Sequence, residues 1–111
     1  MVQTISINEL YNIKNKKELS CIKTFNIILE KCYKKIKSIT EVGGSNMIYD
    51  IPYFLLGFPL YDIDKCIAYI SKSLKKNGFM VLTSSWNKNI IYISWGINDI
   101  DVKYKKQLLL L

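Results

Sequence analysis

Four residues in one stretch of the chain have the types and spacing of a helix that contacts a polyanion. They recur at intervals of four, three and four residues, and they are Lys65, Tyr69, Lys72 and Lys76. Residues three and four apart lie on one side of an α-helix. Lys88 follows in a short Asn-Lys-Asn turn. Lysine contacts with phosphate would give nucleic-acid binding that is weak, sensitive to salt and tolerant of base sequence.

The overall charge supports a polyanionic partner but does not identify it. The chain has 16 basic and 9 acidic residues, for a net charge of +7, and it has no histidine. All the basic residues are lysines, so the usual bidentate reader of guanine, arginine, is missing. The same lysines also fit the solvated side of an amphipathic helix. Both interpretations therefore stay open.

The candidate catalytic residues are better explained as structural. Asp62 with Asp64 is placed to cap a helix, and Asp99 with Asp101 falls in a turn-like stretch, whereas acid–base catalysis needs a pocket and a shifted pKa. No histidine can activate a cysteine, and no GxxxxGK phosphate loop occurs. We predict a protein that is not an enzyme and that holds no cofactor.

The three cysteines have no paired metal-ligand spacing, and an odd number cannot all pair within one chain. Cys21 and Cys32 would lie about 16 Å apart along one helix, which is beyond the reach of a disulfide. We expect reduced thiols, a cytosol-like compartment and no metal site.

An aromatic segment flanked by Pro52 and Pro59 has two interpretations. It could dock a partner or stack bases, or it could cover one end of the core, which we favour because aromatics beside prolines commonly do so. Any aromatic side chains of this segment that stay exposed would form a partner site. Its candidate partner-binding residues are Tyr53, Phe54, Phe58 and Tyr61, and Tyr49 precedes them. Trp86 and Trp95 are expected first in the core of a hairpin, and ligand contact is the second interpretation.

Apolar periodicity predicts a long helix over residues 16–41. Its expected buried side is Leu19, Ile22, Phe25, Leu29, Cys32, Ile36 and Ile39. Residues 5–13 suit a short helix, and residues 47–51 suit an edge strand that Pro52 stops.

A second helix is predicted to start after Asp62 and to end at Gly78. Its expected buried side is Ile63, Cys66, Ile67, Ile70 and Leu74. Strands over residues 79–86 and 90–95 would follow as a hairpin. Residues 97–102 are turn-like, and residues 103–111 form a basic and then leucine-rich tail.

These elements predict a small single α+β domain over residues 1–111, with residues 1–15 and 103–111 peripheral or flexible. Their order is close to that of a winged-helix domain, in which the helix before the hairpin enters a groove and the hairpin tip contacts phosphate. Residues 53–60 barely accommodate the middle helix of that fold. No secretory signal is seen, residues 51–61 are too short to span a membrane, and the leucine tail is too short for a stable anchor, so we expect a soluble protein.

A family resemblance covers residues 49–95. It is carried by Pro52, Phe54, Gly57, Pro59, Leu60, Tyr61 and Asp62, by Asn77-Gly78-Phe79-Met80-Val81, and by Tyr92-Ile93-Ser94-Trp95. These motifs resemble those of short proteins encoded by nucleocytoplasmic large DNA viruses, the giant viruses. The resemblance implies a viral protein of the host cytoplasm, in the viral factory or the virion, and it says nothing about catalysis. The expected partner is nucleic acid, foremost DNA. The alternative is a protein-interaction or virion-assembly module that docks another viral protein or a second copy.

Overall fold

The computed structural model describes residues 4–97, which form two helices and one three-stranded sheet. In chain order the elements are α1 (Ile7–Glu41), β1 (Asn46–Asp50), α2 (Ile63–Lys76), β2 (Met80–Thr83) and β3 (Ile90–Ser94). The sheet is antiparallel with the order β1-β3-β2. The prediction of a small α+β domain is confirmed. The predicted turn after residue 97, the Asp99 and Asp101 pair and the tail over residues 103–111 lie outside the described residues.

The first helix begins nine residues earlier than predicted. Ser6 is its N-cap, and the Glu9 backbone N–H donates to Ser6 Oγ at 3.2 Å. A serine followed by glutamate three residues later is the sequence pattern of a capping box, and glutamate also favours the positive end of the helix dipole. The predicted short helix over residues 5–13 is therefore the first part of α1.

Both helices end on a glycine with positive φ. Gly43, at φ 91°, follows α1, and Gly78, at φ 95°, follows α2. In each case the glycine N–H and the next N–H donate back into the last turn of the helix, which satisfies carbonyl groups that would otherwise lack a partner. Glycine adopts this conformation without the steric cost that a Cβ atom would add. The predicted ends of both helices are confirmed.

The core lies between one face of the sheet and both helices. Alternation along the strands places Met47 and Tyr49 of β1 and Ile91 and Ile93 of β3 on the buried face. The α2 side chains against this face are the five that were predicted, namely Ile63, Cys66, Ile67, Ile70 and Leu74. As predicted, β1 is an edge strand, and it pairs with β3 in the centre of the sheet.

The long helix contributes to this core over only part of its length. Its buried residues are Thr24, Phe25, Ile28, Cys32 and Ile36. The prediction that Leu19 and Ile22 are buried is wrong, because they are 60% and 39% exposed. An α1 of 35 residues is about 52 Å long, and its first half projects past the short sheet.

The hairpin strands are shorter than predicted, because β2 ends at Thr83. The Ser84 hydroxyl accepts from the backbone N–H groups of Trp86 and Asn87 at 3.2 and 3.3 Å. A side-chain turn of this kind offers the backbone an alternative to the strand ladder. The prediction of Trp86 as a core residue is therefore wrong, since its side chain is 92% exposed. Trp95 is half-buried, and its ring lies 6.1 Å from that of Phe79.

All three thiols are free, and two are enclosed in the core. Burial raises the pKa of the Cys66 thiol from about 9.0 to about 12. Burial also raises the pKa of Cys32 to about 12, against the opposing effect of the Lys35 charge. Both thiols are therefore neutral near pH 7 and poor nucleophiles.

These thiols predict a loss of stability in alkali. A pKa that is higher in the folded than in the unfolded chain stabilises the fold fully below about pH 9, and this stabilisation is lost as the pH rises toward about 12. The free energy of unfolding in urea should fall by roughly 1 kcal/mol per thiol between about pH 8 and pH 10. Cys66→Ala should be less stable at pH 8 but should show a smaller fall. An equally steep fall in this variant would contradict the assignment to Cys66.

Candidate nucleic-acid interface

The outward side of α2 carries the predicted lysines because the opposite side of the helix is buried in the core. The Asp62 carboxylate accepts from the Asp64 backbone N–H at 2.8 Å and starts the helix. With the isoleucine side buried, Lys65, Lys72 and Lys76 fall on the opposite side and are exposed. A span of 11 residues from the first to the last of them is about 16 Å along the helix axis.

The hairpin tip lies beside the start of α2. Lys88, in the loop between β2 and β3, places its ammonium 3.7 Å from a carboxylate oxygen of Asp64, and both side chains are more than half exposed. A pair this exposed contributes little to stability. It does show that the tip and the first turn of α2 belong to one surface. It also means that Asp64 offsets part of the Lys88 charge.

Tyr69 does not share the outward side with the lysines. Its ring centroid lies 5.6 Å from that of Phe25, and its hydroxyl donates to Asn26 Oδ1 at 2.6 Å. Both partners are on α1, so Tyr69 fixes the two helices to each other. The ring is half-buried against α1.

The exposed tryptophan at the hairpin tip was expected first in the core and only second as a ligand contact. Trp86 lies two residues from Lys88 and is 92% exposed. The polar run of residues 84–89 was the available signal, because serines and asparagines in series mark a loop. An exposed indole next to an ammonium group is suited to stacking on an unpaired base.

The aromatic-proline segment is divided between the core and the surface. Tyr61 packs edge-on against Phe25 at 5.5 Å between ring centroids, and its hydroxyl donates to the Pro52 carbonyl. Tyr49 is buried, and its hydroxyl donates to the Ile28 carbonyl. For the remaining aromatics the prediction that they cover the core is wrong, because their side chains are 43–57% exposed. These are Tyr53, Phe54 and Phe58.

Metal-binding clusters and membrane-spanning helices are both absent from the described residues. Within residues 4–97, no three side chains of the types that bind metal ions come together. Neither helix of this part of the chain combines the length and hydrophobicity needed to cross a bilayer.

Comparison with known proteins gives a family but no structure. A family model described as "Family of unknown function (DUF5759)" matches residues 5–75, which include α1, β1 and most of α2. "Uncharacterized protein R447" of Acanthamoeba polyphaga mimivirus is 28% identical over 90 residues, which cover 79% of this chain and 68% of that protein. The resemblance to giant-virus proteins is confirmed. No solved structure matches.

Proposed function

We propose that this chain, which belongs to the family of unknown function (DUF5759), is a small non-enzymatic viral domain that binds nucleic acid. The observation that carries the proposal is the contact between Lys88 and Asp64, because it brings the hairpin tip to the first turn of α2. In this proposal the lysines on the outward side of α2 and the aromatic tip face one region of solvent. A polyanion could contact both.

The proposed architecture is winged-helix-like. A helix, an edge strand, a second helix and a hairpin follow one another in the order of that fold, and the central strand is β3. Residues 53–60 take turns instead of a middle helix. In this proposal α2 is the helix that approaches the nucleic acid, and the loop with Trp86 and Lys88 is the wing.

The electrostatics favour weak binding without base specificity. Lysine contacts phosphate as a point charge and does not form the planar fork with which arginine reads guanine. Two carboxylates at the start of α2, Asp62 and Asp64, reduce the positive potential there. The similarity to a mimivirus protein supports a place in the infected host cytoplasm, in the viral factory or the virion.

The test is fluorescence anisotropy with labelled DNA at two salt concentrations. Two or three phosphate contacts predict that affinity falls by roughly 10- to 50-fold between about 50 and 200 mM salt. Lys72→Gln should weaken binding and reduce the slope of the logarithm of affinity against that of salt by about 0.9. Lys34→Gln is the matched control, since Lys34 is exposed on α1. No binding at low salt, or equal effects of both variants, would refute the proposal.

The exposed indole predicts a preference for unpaired bases. Trp86→Ala should weaken binding of single-stranded DNA by roughly 5- to 100-fold, while Trp86→Phe should keep most of the affinity. Duplex binding should change little, because paired bases are already stacked. Quenching of Trp86 fluorescence on addition of an oligonucleotide gives an independent measurement. Equal single-strand affinity for the wild type and Trp86→Ala would exclude stacking.

A second candidate function is docking of another viral protein through the exposed part of the aromatic-proline segment. The observation that favours it is the exposure of Tyr53, Phe54 and Phe58, at 51%, 57% and 43%. Large apolar side chains exposed together on a small domain are typical of a binding surface. The same module could serve in virion assembly.

If the segment docks another viral protein, a variant that lacks its exposed rings should fold normally but should not be packaged in the virion. Phe54→Ser with Phe58→Ser should change the free energy of unfolding by less than about 1 kcal/mol, because neither ring is in the core. In a virus that encodes this variant, mass spectrometry should find the protein in infected cells but depleted from purified virions. Val42→Ser removes an exposed apolar side chain elsewhere and should have no effect. Normal packaging of the double variant would contradict docking in the virion.

A further inference from the structure

The projecting half of α1 carries an apolar stripe that is exposed to solvent. The stripe lies on the same side of the helix as the residues that pack on the sheet further along. Positions 7, 11, 14, 18, 22 and 25 recur at intervals of three and four residues and so share that side. Ile7, Leu10 and Tyr11 are 70%, 52% and 60% exposed, and Ile22 is 39% exposed. Burying such a stripe against another surface is what stabilises most helices in proteins.

The stripe leads into a groove of about 610 Å³ between α1 and the start of α2. Its apolar lining includes Ile22, Phe25, Leu60 and Tyr61. The Cys21 thiol, 3.7 Å from the Leu60 carbonyl, connects the two walls. The groove therefore offers apolar side chains a place to bind beside the exposed stripe.

Two opposite charges, Lys14 and Glu18, interrupt the stripe near its middle. Both also line the groove. Within residues 4–97, where Lys88 pairs with Asp64, neither Lys14 nor Glu18 takes part in an ion pair. A lysine and a glutamate one turn apart form a self-complementary pattern. A second helix running in the opposite direction would place each charge against its opposite.

We infer that a second copy of this chain binds the stripe, with the two α1 helices antiparallel about a two-fold axis near residue 16. In an isologous contact each pairing occurs twice. This register sets Lys14 opposite Glu18 of the second copy, and Leu10 opposite Ile22. It brings Ile7 of one copy to the Phe25 end of the groove in the other.

Charge selects this orientation over a parallel one. Parallel helices in register would oppose Lys14 to Lys14 and Glu18 to Glu18, and like charges across a contact are unfavourable. The contact involves fewer residues than the roughly 20–30 per side of a standard interface, so a dissociation constant in the roughly micromolar range is expected. The inference rests on neither proposal above, since its central contacts are on α1.

The experiment is size-exclusion chromatography with light scattering over a series of protein concentrations. The wild type should pass from monomer to dimer. Lys14→Glu and Glu18→Lys should each weaken dimerisation by at least about tenfold, since each opposes like charges twice. A one-to-one mixture of the two variants should dimerise again, and so should the doubly exchanged variant. Lys16→Glu, on the other side of the same helix, should leave the dimer intact.

Several outcomes would overturn the inference. These are a wild type that stays monomeric at sub-millimolar concentration, reversals that leave the mass unchanged, and a loss with Lys16→Glu as large as that with Lys14→Glu. Circular dichroism checks the helix content of each variant. If a single reversal lowers the helix content, recovery of the dimer in the one-to-one mixture decides between lost pairing and lost helix, because each variant still carries like charges one turn apart on its own helix. The DNA titration reports on α2, so failure of one test leaves the other standing.

Discussion

The structure depends on one packing constraint, which is that three strands of four or five residues offer a single apolar face to two helices of unequal length. The 14-residue α2, about 21 Å long, matches that face, and its buried side is covered from end to end. The 35-residue α1 cannot be covered in the same way. Thr24 to Ile36 pack on the core, and the turns before them have no sheet to meet.

The same constraint decides where the charges lie. Packing Ile70 and Leu74 against the sheet turns Lys65 and Lys72 outward, so the scaffold of α2 and its candidate binding surface are two sides of one helix. After the turn at Gly78 the chain reverses, and β2 runs back along α2. The loop between β2 and β3 therefore lies at the start of α2. Lysine substitutions on the outward side should therefore leave the core unchanged.

The sequence predicted some elements of the fold better than others, depending on how many local signals agreed in each element. The five buried residues of α2 were all predicted, because an aspartate cap, strict periodicity and a terminal glycine agree there. The start of α1 was missed although Ser6 and Glu9 signal it, because Ile5 and Ile13 fall outside the apolar stripe and Lys14 interrupts it. Lysine exposure on α2 could be predicted from periodicity, whereas the position of Tyr69 could not, because it depends on α1 packing beside it. The order of the strands in the sheet was likewise not readable from local pattern.

The wrong predictions for the aromatic residues share one cause. The residue types that favour strands and cores do not show where the hydrogen-bonded strand pairing or the core ends. Trp86 has a strong strand preference, but the Ser84 hydroxyl has already ended β2. Phe54 and Phe58 fit a lid over the core equally well by residue type. The structure closes that end with Tyr49 and Tyr61, and the other rings stay exposed.

Excess apolar surface and excess charge constrain each other. The outer sheet face adds another exposed row, in which Ile48 and Leu82 flank Tyr92 across the strands. A chain with a net charge of +7 repels its own copies, so most of its apolar surfaces are poor places for self-association and better suited to acidic partners. Contact between copies is favoured where the two signs alternate, as they do at Lys14 and Glu18. The lysine surplus that draws the protein to polyanions thus also limits which of its faces can meet a second copy.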